Sequence, residues 1–179
     1  MTVYVALLRG VNVGGHNRLP MATLRAVATG CGFGDVQTYI QSGNAVFTSR
    51  LGVAKVATTL HDAILAETGV DSRVVVRTAP DLATVVNDNP FLARGADEKM
   101  LHVVFLYEES TPTVEAVDAP QYAPDEVAVI GTHAFLHTPN GLGRSKIAAE
   151  PMIRKLGLHG TTRNWRTVTT LAEMAAAMG

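Results

Sequence analysis

The sequence has little cysteine: a single residue, Cys31, among 179. One thiol cannot form a disulfide within the chain, so a disulfide-stapled secreted fold is excluded and a reducing compartment is indicated. Cys31 falls on the apolar face of a predicted helix, which indicates a packing role rather than a reactive one.

Long hydrophobic runs are also missing. The longest, residues 100–107, is interrupted by His102 and is much shorter than the ~20 residues that a membrane-spanning helix requires. The first residues contain no basic segment followed by the apolar core of a signal peptide. We therefore expect no membrane partner and a cytoplasmic location.

Charged residues make up only 17% of the chain, and the formal net charge is −1. The charges are nevertheless distributed unevenly. Residues 1–34 contain three arginines and no acid, residues 81–126 contain ten acids and two bases, and residues 144–166 contain six bases and one acid. If the two basic regions meet in the fold, they create a local positive field on a nearly neutral protein. The alternative is that these charges lie scattered on solvated surfaces.

The first part of the chain, residues 1–78, has the periodicity of the order β-α-β-β-α-β. Gly30 and Gly69 are expected to end the two helices, and Val53 is expected on the apolar face of the second. The predicted strands cover residues 3–8, 36–40, 45–48 and 73–77, and the predicted helices cover residues 20–29 and 53–68.

The second part, residues 79–179, repeats this order without sequence identity to the first. We predict an α+β fold of two ferredoxin-like β-α-β-β-α-β halves packed together, residues 1–78 and 79–179, with a C-terminal helix that Asn164 caps and whose Trp165 lies in the core. The predicted strands here cover residues 100–107, 126–130, 134–137 and 161–163, and the helices cover residues 80–87, 113–117 and 145–156.

A glycine-rich basic loop, residues 9–18, lies between the first predicted strand and the first helix. Glycine readily adopts backbone angles that turn N–H groups toward a ligand, a helix N-terminus adds partial positive charge, and arginine can bind an oxyanion through two hydrogen bonds. The alternative is a structural loop in which Arg9 pairs with a buried carboxylate. The expected ligand contacts are Arg9, Asn12, Gly14, Gly15 and Arg18, with His16 as the candidate for acid–base chemistry.

Two other polar loops have related compositions. Residues 41–44 favour a hairpin turn, with Ser42 and Asn44 as expected ligand contacts, and no local base would activate Ser42 as a nucleophile. Residues 139–146 combine glycines, bases and a serine that can cap the next helix, so a plain strand-to-helix turn is the alternative there. The expected contacts from this loop are Asn140, Gly141, Gly143, Arg144, Ser145 and Lys146.

The remaining candidates are one arginine and three histidines. Arg163 precedes the N-terminus of the last helix, where a cation is disfavoured unless an anion is bound, so it is a further expected ligand. His133 and His137 lie on one predicted strand about 13 Å apart, too far to share a metal ion, and no metal site is expected. His102 is expected to be a core histidine with satisfied hydrogen bonds.

Seven short motifs occur in the order found in a known family: ALLRGVNVGG, TYIQSGNAVF, NPF, LHVVFL, PNGLGRSK, RKLG and TTRNWRTV. On these motifs, which extend from Tyr4 to about Leu171, the chain resembles domain of unknown function 1697, an uncharacterised and mainly bacterial family. The resemblance implies an α+β fold of ferredoxin-like character. It implies no established activity.

The loops favour a site for a phosphorylated or otherwise anionic small molecule, such as a nucleotide, with phosphoryl or nucleotidyl chemistry if the protein is an enzyme. Neither GxxxxGK[ST] nor GxGxxG occurs, no carboxylate pair near the loops indicates a two-metal nuclease, and no particular cofactor is predicted. One alternative is a module that binds RNA or single-stranded DNA, although Tyr39 and Phe47 are the only aromatics on the second and third strands. Another is a non-catalytic scaffold whose sheet edges pair in a homodimer.

Overall fold

The computed structural model describes residues 1–108, 120–149 and 155–179. These residues cluster into two compact units: Met1–Thr84 with Thr170–Gly179, and Val85–Thr169. The helix predicted at residues 113–117 lies outside the described residues. No helix in the described ranges combines the length and the apolar character needed to cross a membrane.

The first unit contains one antiparallel sheet with the strand order β2-β3-β1-β4. Its central strand β1 is buried on both faces, since all of its residues from Val3 onward are buried. The predicted order β-α-β-β-α-β is confirmed. The elements are β1 (Thr2–Leu8), α1 (Met21–Gly30), β2 (Gly34–Tyr39), β3 (Asn44–Ser49), α2 (Val53–Thr68) and β4 (Val74–Thr78).

The core of the first unit forms between the two helices and one face of the sheet. The buried positions of α2, Val56, Leu60 and Ile64, recur at the helical period and join a cluster that includes Tyr4 and Phe47 of the sheet. Burial raises the pKa of the Cys31 thiol, which packs partly against the same cluster.

The ends of α1 and α2 test three predictions made from the sequence. Gly69 ends α2 with a left-handed φ of 70°, as predicted. Gly30 is the last residue of α1, as predicted, but it is not the residue that caps the helix: the cap is Cys31, and Gly32 adopts the left-handed φ of 81°. Val53 is 41% exposed, so its assignment to the apolar face was also wrong; it is the first residue of α2 and has no preceding turn to pack beside.

The second unit contains a sheet with the strand order β6-β7-β5-β8, again with antiparallel neighbours. The same arrangement of strands therefore occurs in both units. A core cluster that includes Val104, Leu136 and Leu158 lies on one face of this sheet. The strands are β5 (Leu101–Leu106), β6 (Glu126–Ile130), β7 (His133–His137) and β8 (Gly160–Asn164).

Two further helices lie where the sequence predicts them, α3 (Ala79–Asn87) and α4 (Trp165–Ala176). The Oδ1 atom of Asn164 accepts a hydrogen bond from the Thr167 N–H at 2.8 Å, and Trp165 is buried, so both expectations for α4 are confirmed. His102 is buried, so its predicted place in the core is confirmed. Burial lowers its pKa against the opposing effect of a hydrogen bond with the Met100 backbone, while Nδ1 has no partner among the described residues.

The helix predicted at residues 145–156 does not begin at Ser145. Residues 142–144 form a short 3-10 turn, and residues 146–149 form bends. The backbone N–H of Lys146 donates to the carboxylate of Asp125, which draws this segment away from a helical path. Residues 150–154 lie outside the described part of the chain.

Candidate functional site

In the first unit, the loop after β1 meets the turn between β2 and β3. The Leu8 N–H donates to the Gly43 carbonyl at 2.9 Å, and the Asn12 side-chain amide donates to the Gln41 carbonyl at 2.7 Å. At Gly43, an added Cβ would lie 2.4 Å from Val11 Cγ2. Two of the three polar loops that the sequence singled out are therefore in direct contact.

Asn12 fixes the shape of the first loop. Its Nδ2 donates to the Leu19 and Gln41 carbonyls, and its Oδ1 accepts from the Leu19 N–H at 2.8 Å. The residue has a left-handed φ of 56°, which asparagine tolerates better than most residues. All these hydrogen bonds stay within the protein, so the Asn12 side chain fixes the loop, and a direct contact between Asn12 and a ligand stays a prediction.

Left-handed residues are concentrated in this pair of loops. A nearby Ile40 has a φ of 44°, which is unusual for a β-branched residue and costs free energy that the surrounding contacts must supply. The residues with positive φ in the two loops are Gly10, Asn12, Gly14, Gly15, Asn17, Ile40 and Gly43.

The tip of the first loop is open to solvent. Residues 13–18 are exposed, and a β-bridge between Val13 and His16 closes the tip. The N–H groups of Gly14 and Gly15 make no hydrogen bond with the described residues. Backbone donors of this kind, in left-handed conformations and facing water, can bind an oxyanion.

Positive charge lies beside these donors. Arg18 is exposed and forms no ion pair with any residue in the described ranges. The backbone of Arg9 is anchored, because its N–H donates to the Arg73 carbonyl and its carbonyl accepts from the Ser72 hydroxyl. The following helix α1 has no acid in its first turn and no side-chain cap on its N-terminus.

The β2–β3 turn places Ser42 and Asn44 in structural contacts. Asn44 is fully buried, and its Nδ2 donates to the Tyr39 carbonyl at 3.0 Å and to the Ser42 hydroxyl oxygen at 2.9 Å. These bonds hold the four-residue connection between the strands. The turn that these bonds hold contacts the first loop through the carbonyl groups of Gln41 and Gly43.

The third polar loop belongs to the second unit. Gly141, with a φ of 86°, donates its N–H to the Thr138 carbonyl at 2.8 Å, which makes a tight turn after β7. Ser145 Oγ accepts from the Ala148 N–H at 3.0 Å, the bond expected of a cap, although no helix is described at this point. The exposed residues of the loop are Pro139, Asn140, Gly143, Arg144 and Lys146.

Arg163 lies in β8 and is only 7% exposed. Its Nη1 donates to Thr161 Oγ1 at 2.8 Å and to the Thr162 carbonyl at 2.9 Å. Burial lowers its pKa to about 10, so the guanidinium is still charged at neutral pH. By unit, the predicted site residues divide into residues 9–18 and 41–44 in the first, and residues 139–146 and Arg163 in the second.

Sequence reasoning missed a charged cluster at the end of β7. His137 Nδ1 lies 2.9 Å from Glu126 Oε1, Arg94 Nη2 donates to Glu126 Oε2 at 2.8 Å, and the Phe91 ring packs against the imidazole. The hydrogen bond from His137, with the pairing to Arg94, holds the pKa of Glu126 below its ordinary value. A signal was available, because the strands predicted at residues 126–130 and 134–137 indicate a short hairpin, and a two-residue turn at residues 131–132 sets a register in which Glu126 faces His137.

Comparison with known proteins supports the fold. A conserved bacterial protein, SP0830 from Streptococcus pneumoniae, has a similar structure with a TM-score of 0.77 and 22% sequence identity, over 98% of this chain and 99% of that one. No curated protein matches the sequence. The sequence profile of one family, described as Protein of unknown function (DUF1697), matches residues 1–135, which include the first loop and the β2–β3 turn. Since this match covers most of the chain, the protein belongs to the DUF1697 family.

Proposed function

We propose that the first unit binds a small anionic molecule, phosphorylated or a nucleotide, at the loop of residues 9–18. The observation that carries this proposal is the pair of exposed, left-handed glycines, Gly14 and Gly15, whose N–H groups are not used within the described residues. Asn12 holds the loop in this conformation through three hydrogen bonds, so little ordering remains to be done when a ligand binds.

The electrostatics of the loop agree with an anionic ligand. Residues 1–34 contain no acid, so no carboxylate in this part of the sequence competes with the ligand for Arg18. The N-terminus of α1 adds partial positive charge close behind the loop. Arg18 is the side chain best suited to bind the ligand, and His16, exposed on the same loop, is the candidate for proton transfer if phosphoryl or nucleotidyl chemistry occurs.

The case for anion binding by residues of the second unit is less direct. Arg144 and Lys146 are exposed and basic, but Asp125 places a carboxylate at the Lys146 N–H, where it opposes an anion. Arg163 already donates to two oxygens of its own strand. Their participation in the same site as Gly14 and Gly15 stays a prediction.

Nucleic-acid binding receives less support than a small anion. The strand order in both units supports a ferredoxin-like description, and such sheets bind RNA by stacking bases on exposed strand aromatics. Of the two aromatics on β2 and β3, Phe47 is buried and stacks on Phe33 at a ring separation of 4.5 Å. Tyr39 is half-buried, so these strands offer one partly exposed ring rather than the cluster that base stacking requires.

Thermal shift measurements with a panel of nucleotides and phosphorylated metabolites test the proposal. A ligand at 100 times its Kd stabilises the folded state by about 2.7 kcal/mol, which raises the melting temperature by several degrees. Arg18→Ala should weaken binding about tenfold, whereas Arg50→Ala should not, because Arg50 follows β3 at the end remote from the β2–β3 turn. If no compound stabilises the wild type more than the Arg18→Ala variant, the proposal is wrong.

A further inference from the structure

Two exposed apolar side chains lie in the pair of loops that carries the proposed anion site. Val13 and Ile40 are, after Met1, the most exposed large apolar residues in the described part of the chain, at 64% and 46%. Val13 directly precedes Gly14, and its carbonyl accepts from the His16 N–H at 3.0 Å, which fixes its backbone. An apolar side chain is therefore the chain neighbour of the backbone donors proposed to bind the oxyanion.

A hydrogen bond between the loops brings the two side chains into one neighbourhood. The Asn12 side-chain amide donates to the Gln41 carbonyl at 2.7 Å, and Val13 and Ile40 are the chain neighbours of these two residues. Standard bond lengths then limit the distance between Val13 Cα and Ile40 Cα to about 16 Å, which one nucleotide and the two side chains can span. A single small ligand can therefore contact both residues.

Ile40 combines exposure with backbone strain. Its φ of 44° lies in the left-handed region, where a β-branched side chain crowds the backbone. Burial of the side chain offsets this cost only in part, because nearly half of it faces water. Asparagine or glycine would fit the same turn at a lower cost. Strained residues are concentrated at active sites and ligand clamps, which indicates a use for this side chain in binding.

We propose that Val13 and Ile40 form the apolar part of the site at residues 9–18, so that its ligand carries an aromatic ring beside the anionic group, as a nucleotide does and a sugar phosphate does not. This inference rests on the proposed function and narrows its class of ligand. The anionic group binds at the glycine N–H groups and Arg18, and the ring lies against the two apolar side chains.

The small size of the apolar surface favours a ring over an acyl chain. Val13 and Ile40 are short, branched side chains, and their loop neighbours Gln41, His16 and Asn17 are polar and exposed, so no long apolar track continues from them along the loops. The competing explanation is that both are isolated apolar residues of the kind common on protein surfaces. That explanation requires no dependence of ligand binding on either side chain.

The four ribonucleoside 5′-monophosphates and ribose 5-phosphate distinguish these explanations, because all contain the sugar and the phosphate and only the nucleotides contain a ring. Titration calorimetry measures the affinity of each for the full chain. We expect at least one nucleotide to bind about 10-fold more tightly than ribose 5-phosphate, the ratio that burial of about 50 Å² of apolar surface supplies.

Each other result has a defined meaning. Equal, measurable affinities for ribose 5-phosphate and the nucleotides would overturn this inference and leave the anion site standing. Tighter binding of octyl phosphate than of every nucleotide would replace the ring with an alkyl chain and would also overturn it. If none of these compounds binds, the inference is wrong, and the wider panel of phosphorylated metabolites decides the anion site itself.

Two variants and one control complete the test. Val13→Asn and Ile40→Asn should each weaken binding of the preferred nucleotide about 3- to 10-fold and change that of ribose 5-phosphate less than about twofold. Ile40→Asn relieves backbone strain and should be more stable than wild type, so its loss of affinity would not reflect unfolding. Ile130→Asn, 39% exposed at the end of β6 in the second unit, should change neither affinity. A preference for nucleotides that survives both loop variants would overturn the inference.

Discussion

The loop after β1 and the loop after β7 contain similar residues but are fixed by different chemistry. In the first loop the amide of Asn12, a neutral group, makes three hydrogen bonds to backbone groups. In the second loop two consecutive acids, Asp125 and Glu126, hold the two ends. Because Asn12 is neutral, it leaves the charge of Arg18 uncompensated. Asp125 and Glu126 make the local electrostatic potential more negative, and Glu126 also orients His137.

The two loops also occupy different positions in the repeated strand order. The first follows the central strand β1 and lies at the same sheet end as the β2–β3 turn. The second follows β7, the counterpart of β3, and so corresponds to the short connection between β3 and α2 in the first unit. The shared strand order therefore does not make the loops equivalent, and each must be judged by its own contacts.

Substitution of Gly43 should have the largest effect on the first loop. An alanine there combines an unfavourable φ of 79° with a Cβ 2.4 Å from Val11 Cγ2 and 2.9 Å from Leu8 Cβ, so Gly43→Ala should cost about 2–5 kcal/mol. Gly15→Ala is the matched control, since its φ of 80° is nearly the same but nothing lies within 4 Å, and about 1–2 kcal/mol is expected. Urea denaturation measures both, and equal losses would show that the close approach is unimportant.

Removal of the Asn12 amide should be the next largest effect. Asn12→Ala deletes three hydrogen bonds and should lower the free energy of unfolding by about 2–3 kcal/mol. Asn17→Ala controls for the left-handed backbone, because Asn17 has a φ of 49° but makes a single exposed bond, to the Gly10 carbonyl at 3.2 Å. It should cost under about 1 kcal/mol. Similar costs for the two variants would contradict the central position given to Asn12.

Relief of the backbone strain at Ile40 should raise the free energy of unfolding, whereas the substitutions at Gly43 and Asn12 should lower it. This residue is 46% exposed and has a φ of 44°, so Ile40→Asn should stabilise the protein by about 1 kcal/mol. Val13→Asn serves as the control, since Val13 is 64% exposed and has no positive φ, and should change stability by less than about 0.5 kcal/mol. A loss of stability in Ile40→Asn would mean that Ile40 makes packing contacts that outweigh its backbone strain.

Removal of the Glu126 carboxylate should have the smallest effect on stability. The pKa of Glu126 is lower in the folded than in the unfolded protein, so its charge stabilises the fold above the ordinary value of 4.5 and that contribution is lost as the pH falls through the lower folded value. Because the side chain is 42% exposed, Glu126→Gln should cost under about 1 kcal/mol at about pH 6, and the difference from wild type should vanish in acid.

Glu98→Gln is the control for this pH dependence. Glu98 is also acidic and exposed in the second unit, but no described residue pairs with it. Its substitution should leave the stability profile of the wild type almost unchanged between acid and neutral pH. A Glu126→Gln profile parallel to that of wild type at every pH would show that the bonds to His137 and Arg94 contribute nothing measurable.

Much of the fold was predictable because local rules dominate it. The helix predicted at residues 53–68 coincides with α2, whose apolar stripe and terminal glycine are both local signals. The failure at Ser145 has a different origin. Its hydroxyl does cap the following turn, but the next N–H is taken by Asp125, which lies 21 residues earlier in the chain. Periodicity and capping rules contain no information about such a partner.

The candidate site likewise combines features that were predictable from the sequence with features that were not. Glycine content and basic residues indicated residues 9–18, but the hydrogen-bond partners through which Asn12 closes the loop were not predictable from the sequence. His137 was considered only as a metal ligand and set aside. Its importance comes from Glu126 and Arg94, which lie 11 and 43 residues away in the sequence and meet it only in the folded unit.

By itself, the order of residues determined the alternation of strands and helices and the positions of the glycine turns, because these depend on side-chain periodicity and on backbone angles within a few residues. Only the tertiary structure decided which polar side chains are used internally and which are left for a ligand. Hydrogen bonds and ion pairs form between groups brought together from distant parts of the chain, so the Asn12 amide is used within the loop, while Arg18 has no ion pair among the described residues.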